Sequence, residues 1–203
     1  MEPRDHWRQI YGAKQPDKVS WFQPCPKPSL DALDRIAAKP SKSFVDIGSG
    51  ASTLADELLD RGWKDVTLVD IAEPALDAAR QRLGDKAGQI HWEIADALHW
   101  RPERSFDIWH DRAVFHFFTG LGERALYKRA LLAGTHPGSH VILGTFALDG
   151  PEMCSGLPVQ RYAAGSLAIE LGDGFRSIAD WTETHMTPWG AEQRFIWCVF
   201  RRD

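Results

Sequence analysis

Four acids stand at the ends of apolar runs. Asp46 follows Phe44-Val45, Asp70 follows Val66-Thr-Leu-Val69, Asp96 follows the run from Ile90, and Asp111 follows the run from Phe106. A carboxylate at a strand end accepts hydrogen bonds and attracts cations. One such acid is unremarkable, whereas four in order point to a common ligand crevice. Gly48-Ser49-Gly50 lies just past Asp46. Glycine has no Cβ, so the backbone can turn sharply there and a ligand can come close. Asp46 at this place would repel a pyrophosphate and attract a positively charged group. Asp70 stands 20 residues after Gly50, the spacing at which an acid on the neighbouring strand accepts from a ribose diol; capping of the next helix is its other reading. Asp111, Arg112 and His116 come next, where a reacting partner would approach. An acceptor that arrives protonated needs a base, and Asp111 and His116 are the candidates. His116 lies among Phe115, Phe117 and Phe118, so a core position competes with that role. His185 and Arg161 are remoter candidates.

These residues need elements to position them. Phe44 to Ile47 reads as a buried strand, and Leu54, Leu58 and Leu59 give the segment after the turn a helical stripe, capped by Ser52 or Thr53. Val66–Asp70 is the second strand and Glu73–Leu83 the next helix, with proline tolerated in its first turn. Strands follow from Ile90 with Asp96 just past the end, at Phe106–Asp111, and at Val141–Phe146 after a turn at His136-Pro-Gly138. A helix spans Gly122–Ala133. Another spans Leu30–Ala38, with Ser29 as its cap. Strand–helix alternation predicts a doubly wound parallel sheet, with ligands at the carboxyl ends of the strands. Past residue 146 the pattern changes. Residues 148–165, rich in Gly and Pro, read as a long loop over the mouth of the sheet. Arg176–Thr187 and Arg194–Phe200 read as a closing antiparallel hairpin. Residues 1–30 combine a short helix, a turn at Pro16-Asp17 and an irregular aromatic segment around Trp7, Tyr11, Trp21 and Phe22. The segment is either an arm packed on the domain or a lid over the ligand.

The ligand class can be narrowed further. The third glycine of the dinucleotide fingerprint is replaced here by Thr53. S-adenosylmethionine has no phosphate and carries a sulfonium and an ammonium, which suits Asp46. Asp46-Ile-Gly-Ser-Gly-Ala-Ser52 resembles the first motif of class I S-adenosylmethionine-dependent methyltransferases, with Ser52 in place of its last glycine. The resemblance extends over residues 41–200. It implies a Rossmann-like α/β fold, a mostly parallel seven-stranded sheet with an antiparallel C-terminal hairpin and helices on both faces. It also implies that Asp96 accepts from the adenine amino group. Cofactor contacts are expected from Trp21, Asp46, Gly48, Ser49, Gly50, Asp70, Ile71, Asp96, Ala97 and Asp111. Catalytic roles are expected from Asp111, Arg112 and His116. The aromatic arm is similar to that of the thiopurine S-methyltransferase group, and some protein-lysine methyltransferases begin alike.

The 203 residues fit one methyltransferase domain, with 1–28 as lid and 148–165 as active-site loop. A net charge of −4 leaves no basic footprint for nucleic acid. No apolar run approaches the roughly 20 residues of a membrane span, and the first residues lack a signal-peptide core. Cys25, Cys154 and Cys198 form no C-x-x-C pair and read as free thiols of a cytoplasmic protein. No metal site is expected, since H-E-x-x-H and paired Cys/His spacings are missing. Ser155 is not in a G-x-S-x-G elbow, which removes support for a hydrolase. The expected protein is a monomer that methylates a small acceptor, a thiol or related soft nucleophile. Protein lysine is the alternative. An NAD-dependent oxidoreductase or a non-catalytic cofactor-binding protein ranks lower.

Overall fold

The computed structural model describes residues 2–13 and 15–203. Helices α1 (Pro3–Ala13) and α2 (Lys27–Arg35) precede β1 (Phe44–Ile47). Then follow α3 (Leu54–Asp60), β2 (Val66–Asp70), α4 (Glu73–Leu83), β3 (Ile90–Ile94) and β4 (Phe106–Arg112). The second half holds α5 (Leu121–Ala133), β5 (Thr135–Phe146), β6 (Met153–Cys154), β7 (Leu157–Pro158), α6 (Ala164–Leu171), β8 (Phe175–Met186) and β9 (Glu192–Arg202). Seven strands form one sheet in the order β3-β2-β1-β4-β5-β9-β8. The first five are parallel, and β9 runs antiparallel to both β5 and β8. This is the Rossmann-like fold with its antiparallel closing hairpin. The order reverses between β2-β1 and β4, which opens a crevice beyond the ends of these strands.

Central parallel strands are covered on both faces, so β1 and β2 are buried at every position. On one face Leu30 and Leu33 of α2, Leu54 and Leu58 of α3, and Leu76 of α4 pack on Phe44, Leu68 and Ile108. On the other, Tyr127 and Leu131 of α5 and Leu167 of α6 pack on Val45, Trp109 and Val141. Residues two apart on a strand share a face. The β1–β4 register therefore sets one polar pair, Asp46 opposite His110 on the α2 face, while Asp111 lies opposite the apolar Ile47 on the α5 face.

Three expectations change. Helix α2 begins at Lys27 and ends at Arg35, so Ser29 lies inside it, buried, and does not cap it. Strand β5 begins at Thr135, before the expected turn, because the register jumps between Phe106↔Thr135 and Ile108↔His140 and absorbs Pro137-Gly138. Residues 148–165 are not simple loop: they hold the β6–β7 hairpin and lead into α6, which the sequence reading lacks.

Candidate active site

The glycine turn after β1 is the narrowest part of the site. Gly48 and Gly50 both have left-handed φ, 61° and 55°. A Cβ on Gly48 would lie 2.1 Å from Val114 Cγ2, and one on Gly50 would lie 2.3 Å from the Tyr11 hydroxyl. Only glycine meets both constraints. The turn is held from β2. Gly50 N–H donates to Asp70 Oδ2 at 2.7 Å, and Ala72 N–H donates to Asp70 Oδ1 at 2.8 Å. Burial pushes the Asp70 carboxyl up to about 6, against the pull of these amides. Asp70 thus braces the turn and the backbone at Ala72, just before α4, and it lines the crevice.

A cavity of about 290 Å³ opens above the turn. Asp70, Ile71, Asp96, Ala97, Gly48, Trp21 and Arg112 all line it. Asp96 accepts from Leu98 N–H at 2.9 Å and pairs with His99 Nδ1 at 2.9 Å. Trp7 and Tyr11 of α1 also line the cavity. Trp7 meets Phe117 edge-on at 5.1 Å and Trp21 at 5.8 Å, and Trp21 Nε1 donates to the Tyr11 hydroxyl at 3.3 Å. Cys154, Leu157 and Pro158 of the β6–β7 hairpin complete the wall. The sequence reading places Trp7 and Tyr11 in a lid and Cys154, Leu157 and Pro158 in a loop over the site, but names none of them as a cofactor-binding or catalytic residue.

A second, smaller cavity of about 50 Å³ adjoins the turn, lined by Ser29, Asp46, Ser49, His110 and Arg112 among others. Asp46 Oδ1 is 2.7 Å from His110 Nδ1, and His110 Nε2 is 2.9 Å from Ser29 Oγ. All three are buried. This network ties α2, β4 and β1 together beside the turn. Asp46 is thus already engaged on one oxygen, which the single-strand reading did not foresee. The signal was in the register, which places His110 beside it. Gly50 lines neither cavity but is held between Asp70 and Tyr11.

Two of the three expected catalytic residues are not on either wall. Asp111 is fully buried, accepting from Val114 N–H at 3.0 Å, Phe115 N–H at 3.2 Å and the Tyr127 hydroxyl at 2.7 Å. Its phase on β4 turns it into the α5 face, where it shapes the bend leading to Phe115. His116 is also fully buried, edge-on to Phe117 and close to Phe146, and burial with nearby Arg112 lowers its pKa to about 3. It is a neutral core histidine. Arg112, one residue on in the opposite phase, does reach both cavities. Asp111→Asn is expected to cost about 1–3 kcal/mol of stability, because one carboxylate oxygen becomes an amide nitrogen and either the Tyr127 hydroxyl or the two backbone amides lose their acceptor. Denaturant unfolding reads that cost, while kcat in the folded fraction stays near wild type. Undiminished stability with kcat abolished would restore Asp111 to the chemistry.

Residues 44–131 match the family model of a methyltransferase domain. The eEF1A lysine and N-terminal methyltransferase of Danio rerio is 23% identical over 128 residues, covering 63% of this chain and 18% of that protein. The chain spans 18% and 59% of the length of the curated relatives it matches. A structure solved for the conversion of a disulfide bond into a thioacetal group during echinomycin biosynthesis superposes with a TM-score of 0.79 at 21% identity, covering 100% of this chain and 93% of that one. The N-methyltransferase NodS of Bradyrhizobium japonicum, solved with S-adenosyl-l-homocysteine, gives 0.72 at 15% identity, covering 98% and 99%. Residues 44–131 thus fit the model of a methyltransferase domain, and the chain shares its fold with solved methyltransferases, one of them in complex with S-adenosyl-l-homocysteine. Among the described residues no helix is long and apolar enough to cross a membrane.

Proposed function

We propose that this domain methylates a small, soft nucleophile, a thiol above all, acting as a monomer on a free molecule. The observation that carries the reading is the wall of the larger cavity. Its lining is mostly apolar, with Trp7, Tyr11, Trp21, Phe117 and Phe118 among it, and it offers no residue suited to act as a base. Its titratable groups are Tyr11, Asp70, Asp96, Arg112, Glu123 and Cys154. Asp70 and Asp96 are engaged by backbone amides, and Glu123 accepts from Gly120 N–H at 2.8 Å. Burial raises the pKa of Tyr11, and it lifts the Cys154 thiol to about 11. With Asp111 and His116 buried elsewhere, an acceptor must bring its own nucleophilic form. A thiol does so at neutral pH far more readily than a lysine ammonium or an alcohol.

Bound S-adenosylmethionine supplies a methyl group already activated on a sulfonium, so alignment provides most of the rate. Asp70 would take the ribose hydroxyls, Asp96 with Ile71 and Ala97 the adenine, and the Gly48–Gly50 turn the amino-acid end. The two left-handed glycines fit such a role, since a Cβ at either would close the cradle. Asp46, Ser49 and Trp21 would complete that end. Trp7, Phe117, Leu157 and Pro158 would exclude water around the acceptor. The aromatic arm, similar to that of the thiopurine S-methyltransferase group, supports a sulfur acceptor, as does a structural neighbour that works on a disulfide. The eEF1A methyltransferase relative favours lysine as the second reading.

A radiolabelled methyl-transfer screen against a thiol panel, run beside cell lysate split into small molecules and proteins, tests this. Label is expected in the small-molecule fraction as a thioether. Label only on lysine of a protein band would reverse the assignment.

A further inference from the structure

The glycine turn is held from a second side by a residue that lines neither cavity. Arg82, in the last turn of α4, spreads its guanidinium over three acceptors. Its Nη1 donates to the Ala51 carbonyl at 2.7 Å and its Nη2 to the Ser52 carbonyl at 2.6 Å. Nε and Nη2 also donate to the Asp56 carboxylate of α3, at 3.1 and 2.8 Å. The two carbonyls directly follow Gly50. Among the described residues no backbone amide donates to either, because both precede the first hydrogen-bonded turn of α3. Ala51 is only 8% exposed, so water is a poor substitute there. A planar guanidinium fork spans two carbonyls and a carboxylate at once, which a single ammonium does not.

A carbonyl fixed in direction fixes the plane of its peptide, and in a trans peptide the next N–H points the opposite way. Arg82 therefore orients the Ser52 and Thr53 amides. Ser52 N–H donates to the Ser49 carbonyl at 3.1 Å, closing the turn over Gly50 and Ala51. Asp70 grips the same turn from β2 through a donor, the Gly50 N–H, and Arg82 grips it from α4 through two acceptors. A neighbouring ion pair serves as a contrast. Lys86, just past α4, pairs with Asp60 at the end of α3 but has no bond to the turn.

We propose that Arg82 is a positioning residue for the cofactor: by holding the Ala51 and Ser52 carbonyls it keeps the glycine turn in the shape that receives the amino-acid end. This rests on the methyl-transfer reading and adds to it a residue that acts on the cofactor only through the turn.

The test compares Arg82→Met and Arg82→Lys with Lys86→Met, which removes the neighbouring ion pair alone. Calorimetry uses two probes, S-adenosylhomocysteine and 5′-methylthioadenosine, the second lacking the amino-acid end. Arg82→Met should bind S-adenosylhomocysteine roughly tenfold more weakly than the wild type. It should bind 5′-methylthioadenosine with little change. Arg82→Lys should recover part of the loss, since an ammonium can reach one of the carbonyls. Lys86→Met should bind both probes like the wild type. In the protein without ligand, NMR should show faster hydrogen exchange at the Ser52 amide in Arg82→Met than in Lys86→Met. Unchanged affinity for S-adenosylhomocysteine in Arg82→Met overturns the proposal. So does an equal loss for both probes, which would mark a general loosening of the domain. Should Arg82→Met fail to melt cooperatively, Arg82→Lys carries the same comparison. A wild-type protein that binds neither probe would count against the cofactor reading alone, because the exchange at Ser52 is measured without ligand, and there an unchanged rate would overturn the clamp.

Discussion

Replacing Asp70 by Ala should lower affinity for S-adenosylhomocysteine by roughly tenfold or more, the largest loss expected from a single carboxylate in this site. Each Asp70 oxygen already holds one backbone amide, Gly50 N–H or Ala72 N–H. Each keeps a lone pair for a ribose hydroxyl. Alanine removes both ligand bonds and releases the turn that shapes the cradle. Asparagine keeps one oxygen acceptor and turns an amide nitrogen on the other donor, so it should fall between the two. Calorimetry at pH 8 reads the effect, and equal affinity in Asp70→Ala would reduce Asp70 to a brace for the backbone.

The same residue gives a pH dependence of definite sign. The folded carboxyl titrates at about 6, above the 3.8 of an unburied aspartate. Between these values the folded chain binds a proton that the unfolded chain does not. This group therefore adds stability to the ligand-free protein as pH falls from 7 towards 5, and the buried Asp111, also raised to about 6, adds in the same direction. Cofactor affinity moves the other way, because hydroxyl donors favour the ionised form. Affinity should drop below about pH 6 in the wild type and lose that step in Asp70→Asn.

The parallel strands along the chain and the end of the sheet that holds the crevice were legible because parallel strands buried on both faces leave nearly unbroken apolar runs. Gly48 and Gly50 punctuate the first of them. Helix α4 was readable to the residue, since Pro74 marks its first turn and Ala75, Leu76, Ala79 and Leu83 bury one stripe. Helix α6 was not, because Gly165 and Ser166 open it and Ile169 points into solvent at 81% exposure. At the site, the acids at strand ends were visible but their phase was not. Asp111 and Arg112 are neighbours, yet period-two alternation sends one into the α5 core and the other to the cavity. Knowing which requires the β1–β4 register, and a single strand does not carry it. The Ser29–His110–Asp46 network is hidden for the same reason, as its members come from three elements.

The N-terminal segment divides where the sequence reading treats residues 1–28 as one lid. Helix α1 has no buried residue. It meets the rest through Trp7 and Tyr11 over the cavity and an exposed Arg8–Glu73 pair at 3.4 Å, a contact worth little by itself. The stretch after it is built into the domain. Val19 is only 2% exposed, the Trp21 carbonyl accepts from Arg112, and the Ser20 carbonyl accepts from His185 Nε2 at 2.7 Å. The Gln23 carbonyl accepts from Thr53 Oγ1 at 3.2 Å. Deleting residues 1–13 should therefore leave a cooperative thermal transition near that of the full chain and a much weakened cofactor complex, since Tyr11 packs on the turn at Gly50. Deleting residues 1–28 removes about 1.5–3 kcal/mol for Val19 alone. It also strands the His185 and Arg112 donors at about 1–3 kcal/mol each. That sum is a large part of an ordinary domain's stability of about 5–15 kcal/mol, so the shorter chain should lose its cooperative transition. Circular dichroism melts and calorimetry on the two truncations separate the cases. A 1–13 deletion that binds S-adenosylhomocysteine like the full chain would show that α1 covers the site without contributing to it, and a 1–28 deletion that melts cooperatively would return the whole segment to the role of lid.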